Sequence, residues 1–133
     1  MTKEDLMQVY YIDKEITAWK NELERIKNSV QVSGIRYSGM PKRKGQLDDK
    51  VAELAVSIAE TERKISQKLL ELEKAKSEVT SYILNIDDCQ TRLIFKLRCI
   101  NLMSWNAVAD EIGGMNSEYS VKKRFYRYLE KCG

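Results

Sequence analysis

The chain has 133 residues, 43% hydrophobic and 32% charged, with a formal net charge of +3, six glycines and a single proline. That length holds one ordinary domain, or a small domain with a long appendage, and so little Gly and Pro punctuation argues against a many-stranded fold. A net charge this small does not by itself imply non-specific polyanion binding, so the placement of the charges matters more than their sum.

No run of 18 apolar residues occurs, and the opening MTKEDLMQVYY is too polar for a signal peptide. Cys89, Cys99 and Cys132 are odd in number and lack the paired spacing of a metal site, and histidine is absent. The expectation is a reduced cytoplasmic protein without metal, cofactor or membrane partner, its cysteines packed as small hydrophobes.

Residues 3–30 carry an unbroken heptad seam, Val9, Ile12, Ile16, Trp19, Leu23, Ile26 and Val30, set in Lys, Glu, Asp, Asn and Gln. So narrow a stripe needs a partner helix. Residues 47–84 supply one: Val51, Ile58, Ile65, Leu72 and Val79 recur every seven residues, flanked by Leu54, Ala55, Leu69, Ala75 and Ile83. The two read as an antiparallel hairpin over residues 1–84 that can also pair with a second chain. Between them, at about residues 31–46, Gly34, Gly39, Pro41 and Gly45 are expected to exclude helix. The simplest reading of this segment is a solvated connector. The functional reading makes Arg36, Lys42, Arg43 and Lys44 candidate contacts to phosphate or to a protein partner.

Residues 85–133 have a different texture. Asp87 or Asp88 is placed to cap a helix through CQTRLIFKLRCI, with Leu93, Ile94, Leu97 and Ile100 inward. Ser104 caps WNAVADEIG, where Trp105, Val108, Ala109 and Ile112 pack inward and Gly113-Gly114 ends the helix. Ser117 then caps a last helix that buries Val121, Phe125, Tyr128 and Leu129. Helix, short turn and helix, with the small Ala109 at the close approach, is helix-turn-helix geometry. Glu118, Tyr119, Lys122, Lys123, Tyr126 and Arg127 are left outward, Arg124 lies at the margin, and the last helix carries five Lys or Arg against two Glu. This is the electrostatic footprint of a helix that lies on a nucleic acid. The overall expectation is an all-α protein, a long coiled-coil hairpin followed by a three-helix helix-turn-helix bundle.

The stretch SWNAVADEIGGMNSEYSVKKRFYRYLEK resembles sigma-factor region 4, and more closely phage-encoded regulators of the RinA type. IDDCQTRLIFKLRCI, SWNAVADEIG and SEYSVKKRFYRYL carry the likeness over roughly residues 84–132, with a looser echo in YSGMP between the long helices. The resemblance implies a sequence-specific phage or prophage transcription regulator in a bacterial host cell. It would bind double-stranded DNA at a promoter and contact RNA polymerase or a second copy of itself, as a homo-oligomer, in the simplest case a dimer. It implies that Glu118, Tyr119, Ser120, Lys122 and Lys123 face the major groove while Arg124, Arg127 and Lys131 contact backbone phosphates. The chain departs from the family pattern in GGMNS, which is longer than a tight turn.

Without histidine, a Gly-rich phosphate cradle or a cysteine close to a base, the sequence offers no catalytic constellation, and no enzyme is expected. Two rival readings remain. One is a DNA-packaging protein like a terminase small subunit. The other is a protein-binding effector, an inhibitor of a host nuclease or defence system, that uses the hairpin or the loop around Met40.

Overall fold

The computed structural model describes the backbone of residues 1–35 and 44–132 and the side chains of residues 1–29 and 49–131. The fold is all-α, with no strand among the described residues. In chain order the helices are α1 (Lys3–Ile35), α2 (Lys44–Leu84), α3 (Cys89–Phe95), α4 (Trp105–Ile112) and α5 (Glu118–Cys132), and a π-helical turn (Lys96–Ile100) continues α3. Two compact units emerge, one of residues Met1–Asp13 with Glu71–Gly133 and the other of Lys14–Leu70. The ends of α1 and α2 nearest the chain's C-terminal helices therefore belong with those helices.

Both long helices run further than the sequence suggests, because α1 passes through Gly34 to Ile35 and α2 takes in Gly45. Glycine inside a helix costs about 1 kcal/mol relative to alanine, which weakens a helix without ending it. Of the four expected breakers, Gly39 and Pro41 lie outside the described residues.

The unit Lys14–Leu70 is an antiparallel helix pair. Glu15 pairs with Lys68 at 3.0 Å and Lys27 with Glu62 at 4.0 Å, so α2 descends as α1 climbs. These pairs are largely exposed and set register more than stability. Between them Lys64 Nζ sits 4.5 Å from the Trp19 ring centroid, which covers this half-buried seam residue. On α1, Ile16 and Ile26 are buried as the heptads require, and Leu23 is half-buried. On α2 the seam of this unit runs Leu54, Ile58, Thr61, Ile65 and Lys68, in alternating steps of four and three. The alternate position is thus filled by Thr61, whose hydroxyl donates to Ser57 O at 2.7 Å, and by the stem of Lys68. Leu69, one residue off that register, is exposed, and so is Val51, contrary to its expected place in the seam.

In the other unit Leu6, Val9 and Ile12 of α1, Val79 and Ile83 near the end of α2, and Ile86 in the turn after it are buried. Asp88, in extended conformation, caps α3: its carboxylate accepts from Thr91 N–H at 2.9 Å and from Thr91 Oγ1 at 2.5 Å. This pairing turns Thr91 inward, and Ile94 and Phe95, three and four residues on, share its face. Leu93, expected inside, is consequently exposed. Cys89, the first residue of α3, is also exposed rather than packed, whereas Cys99 is buried. Burial pushes the Cys99 thiol up to about 12, so it stays protonated.

Phe95 has no accessible surface and meets Phe125 at 4.4 Å, Tyr128 at 5.3 Å and Tyr82 at 6.2 Å. Trp105 of α4 stands edge-on to Phe125 at 5.0 Å. These rings fasten α2, α3, α4 and α5 into one core. The path from the π turn to α4 is closed by Met103 N–H on Leu97 O at 3.1 Å and by Arg98, which donates to Met103 O at 2.9 Å and lies 4.6 Å over the Trp105 ring. Ser104 then starts α4, its hydroxyl accepting from Ala107 N–H at 3.2 Å. Ser104→Ala should lower stability by about 1 kcal/mol, because the first turn loses its cap, while Ser104→Asp keeps it. Denaturant melts followed by circular dichroism measure this, and equal midpoints for wild type and Ser104→Ala contradict it.

Candidate nucleic-acid interface

Helix α5 owes its orientation to its inner face. Val121 and Phe125 are buried and Tyr128 and Leu129 are half-buried, at spacings of four, three and one. Its start is equally fixed. Ser117 and Ser120 form a reciprocal cap: Ser120 N–H donates to Ser117 Oγ at 3.1 Å and Ser117 N–H to Ser120 Oγ at 2.9 Å. Upstream, Gly113 and Gly114 both take positive φ, 73° and 66°, which few other residues accept, and Asn116 Nδ2 braces the turn by donating to Gly113 O at 3.0 Å. The opposite face of α5 therefore presents Tyr119, Lys123 and Arg127, one every four residues, as a single ridge.

The structure places the expected residues as follows. Tyr119 is 70% exposed, and Lys123 Nζ lies 5.6 Å from its ring centroid. Glu118, Lys122, Lys123, Arg127 and Lys131 are exposed on α5, with Glu118 in the first turn, where the helix dipole favours an acid. Ser120 is half-buried, and its hydroxyl also donates to Ser117 O at 2.9 Å, so it is spent on the cap rather than facing a partner. Arg124 is exposed but not idle: its guanidinium donates to Gln90 Oε1 and lies 3.9 Å from the Asp88 carboxylate. Arg36, Lys42 and Arg43 lie outside the described residues, and Lys44 opens α2 with its side chain likewise outside them.

The ridge separates two depressions. One, of about 500 Å³, is lined by Asn116, Lys123, Arg124 and Arg127 among others, three cations with no carboxylate in the lining. The other, of about 300 Å³, is lined by Tyr119, Lys122, Lys123 and Tyr126. Sequence reasoning missed two contributors. Asn116 read only as part of a turn, and Lys3, whose Nζ lies 5.1 Å over the Tyr126 ring, comes from α1 with no local signal to link it to α5. Chemically the arrangement is a cationic ridge with aromatic rings in it, suited to an extended anion that also offers flat or apolar groups.

No family model, no curated protein and no solved structure matches the chain.

Asp88 links the cap of α3 to this surface. Its carboxyl is held below the usual carboxylate range, chiefly by the hydrogen bonds from the Thr91 side chain and backbone and secondarily by the charges of Arg124 and Arg92. A lowered folded-state value means that this contribution is complete above about pH 4 and is lost as pH falls through the folded value. Asparagine caps nearly as well as aspartate. Asp88→Asn should therefore flatten part of the acid limb of stability against pH and change little at neutrality, as equilibrium unfolding between pH 2 and 7 would show. Superimposable acid limbs rule the linkage out.

Proposed function

We propose that the protein is a sequence-specific DNA-binding transcription regulator of the phage or prophage kind, acting at a promoter in a bacterial cell. The observation that carries this reading is the ridge of α5: Tyr119, Lys123 and Arg127 point away from the core, with Lys122 beside them, on the second helix of a helix-turn-helix. The small, buried Ala109 and the buried Val108 sit on the helix that α5 packs against. In this geometry α5 lies in the major groove of double-stranded DNA, and α4 crosses the backbone.

Phosphate contacts by Arg127 and Lys131, together with the charges that Lys122 and Lys123 carry into the groove, supply salt-dependent affinity, and groups at the start of α5 read base edges. Arg124 contributes less than its charge suggests, because Gln90 and Asp88 already hold it. A single module of this size binds weakly, and pairing two copies through the helix pair raises the effective concentration at paired half-sites. Regulation then follows from occupancy of the promoter and contact with RNA polymerase. No helix among the described residues is long and apolar enough to cross a membrane.

The test is binding to fragments of genomic DNA across a salt series, with wild type and a Lys122→Ala/Lys123→Ala/Arg127→Ala variant. All three side chains are exposed, so the variant should melt like wild type. Wild type should select particular fragments, and the slope of log affinity against log salt should fall by about two to three units in the variant. Absence of binding, or an unchanged slope, contradicts the proposal.

A further inference from the structure

The notch on the α4 side of the ridge differs in chemistry from the basic groove on the other. Its lining, Tyr119, Lys122, Lys123 and Tyr126, is almost wholly apolar although both lysines reach it. Tyr119 and Tyr126 are seven residues apart and so stand on one side of α5, two turns apart. The Tyr126 ring is braced, edge-on to Phe125 at 5.2 Å, 6.2 Å from Trp105 and beneath Lys3. Tyr119 forms the outer wall under Lys123.

An apolar notch rimmed by Lys122 and Lys123 suits a partner that is a polyanion and also carries an apolar group small enough to enter. In the major groove of duplex DNA the only such group is the 5-methyl of thymine. We propose that this notch seats a thymine methyl, with Tyr119 and Tyr126 as the residues that tell thymine from the other bases. The inference rests on the DNA reading and adds to it a base identity and a residue, Tyr126, that the resemblance does not supply. The basic groove on the other side of the ridge would then take backbone phosphate, so that one helix divides its two flanks between position and sequence.

The experiment uses the full chain and a duplex recovered from a random pool by repeated selection. Affinity is measured by fluorescence anisotropy for that duplex and for copies in which single thymines are replaced by uracil, which deletes only the methyl. At one or two positions the replacement should weaken wild-type binding about fivefold, the effect of exposing roughly 40 Å² of apolar surface. Tyr119→Ala, at an exposed position, should bind the thymine and uracil duplexes alike and keep the wild-type salt slope, since no charge is lost. Tyr126→Phe, which keeps the ring, should retain the discrimination. If wild type binds a selected duplex yet ignores every methyl, or if Tyr119→Ala still discriminates, the inference is overturned while the DNA reading stands. Tighter binding to the separated strands than to the duplex also overturns it, in favour of bases stacked on the rings. Recovery of no duplex removes both.

Discussion

The contact between Phe95 and Phe125, 4.4 Å between ring centroids, decides what every other surface of the C-terminal helices can do. Phe95 is fully enclosed, and Tyr82, Tyr128 and Trp105 complete the set of rings around the pair. Replacing either phenylalanine with alanine would cost about 3–5 kcal/mol, a large share of what holds so small a bundle together. Because side chains four apart on a helix share a face, fixing Phe125 inward fixes Tyr119, Lys123 and Arg127 outward. The candidate interface is thus a consequence of core packing rather than an independent feature.

Around that contact, short polar devices hold the backbone where it would otherwise drift. Asp88, Ser104 and the Ser117–Ser120 pair begin three helices, and each places its oxygen on an orphan N–H of the first turn. The passage between the π turn and α4 is under tension: Leu102 has φ of 57°, a conformation that costs a residue with a side chain about 1–2 kcal/mol. Arg98 holds that passage closed through Met103 O and the Trp105 face. A guanidinium suits this role, since it stacks and donates at once, which a lysine does not.

The heptads of α1 were legible because strict spacing and charged neighbours leave only one face to bury. On α2 the same logic succeeded at Ile65, Leu72 and Val79 and slipped at Leu69, since hydrophobicity alone favours a leucine over the threonine and lysine that the register actually requires. The caps at Asp88, Ser104 and Ser117 could be read from residue type and position. The inward face of α3 could not, because Leu93 and Phe95 are equally apolar and only the Asp88–Thr91 pairing sets the rotation. The basic ridge was visible as a periodicity of cations on α5. What the cations touch was not, for Gln90 reaches Arg124 and Lys3 reaches Tyr126 across long sequence separations. Gly34 and Gly45 were over-read, because a glycine marks a permissive backbone and not an obligatory turn.

These elements join into a division of labour in which α5 is presented by its core and tuned by its neighbours. The claim on which the account turns is that the Tyr119–Lys123–Arg127 ridge is the contact surface for DNA. The most direct measurement is a two-dimensional amide NMR titration of the full chain with a selected duplex. DNA bound on the ridge would produce progressive shifts at Tyr119, Lys122, Lys123 and Arg127 and in the turn at Asn116, with the amides of Ile16 and Ile65 in the long helix pair unmoved. Shifts confined to α1 and α2, with α5 silent, would contradict it and move the binding surface to the helix pair.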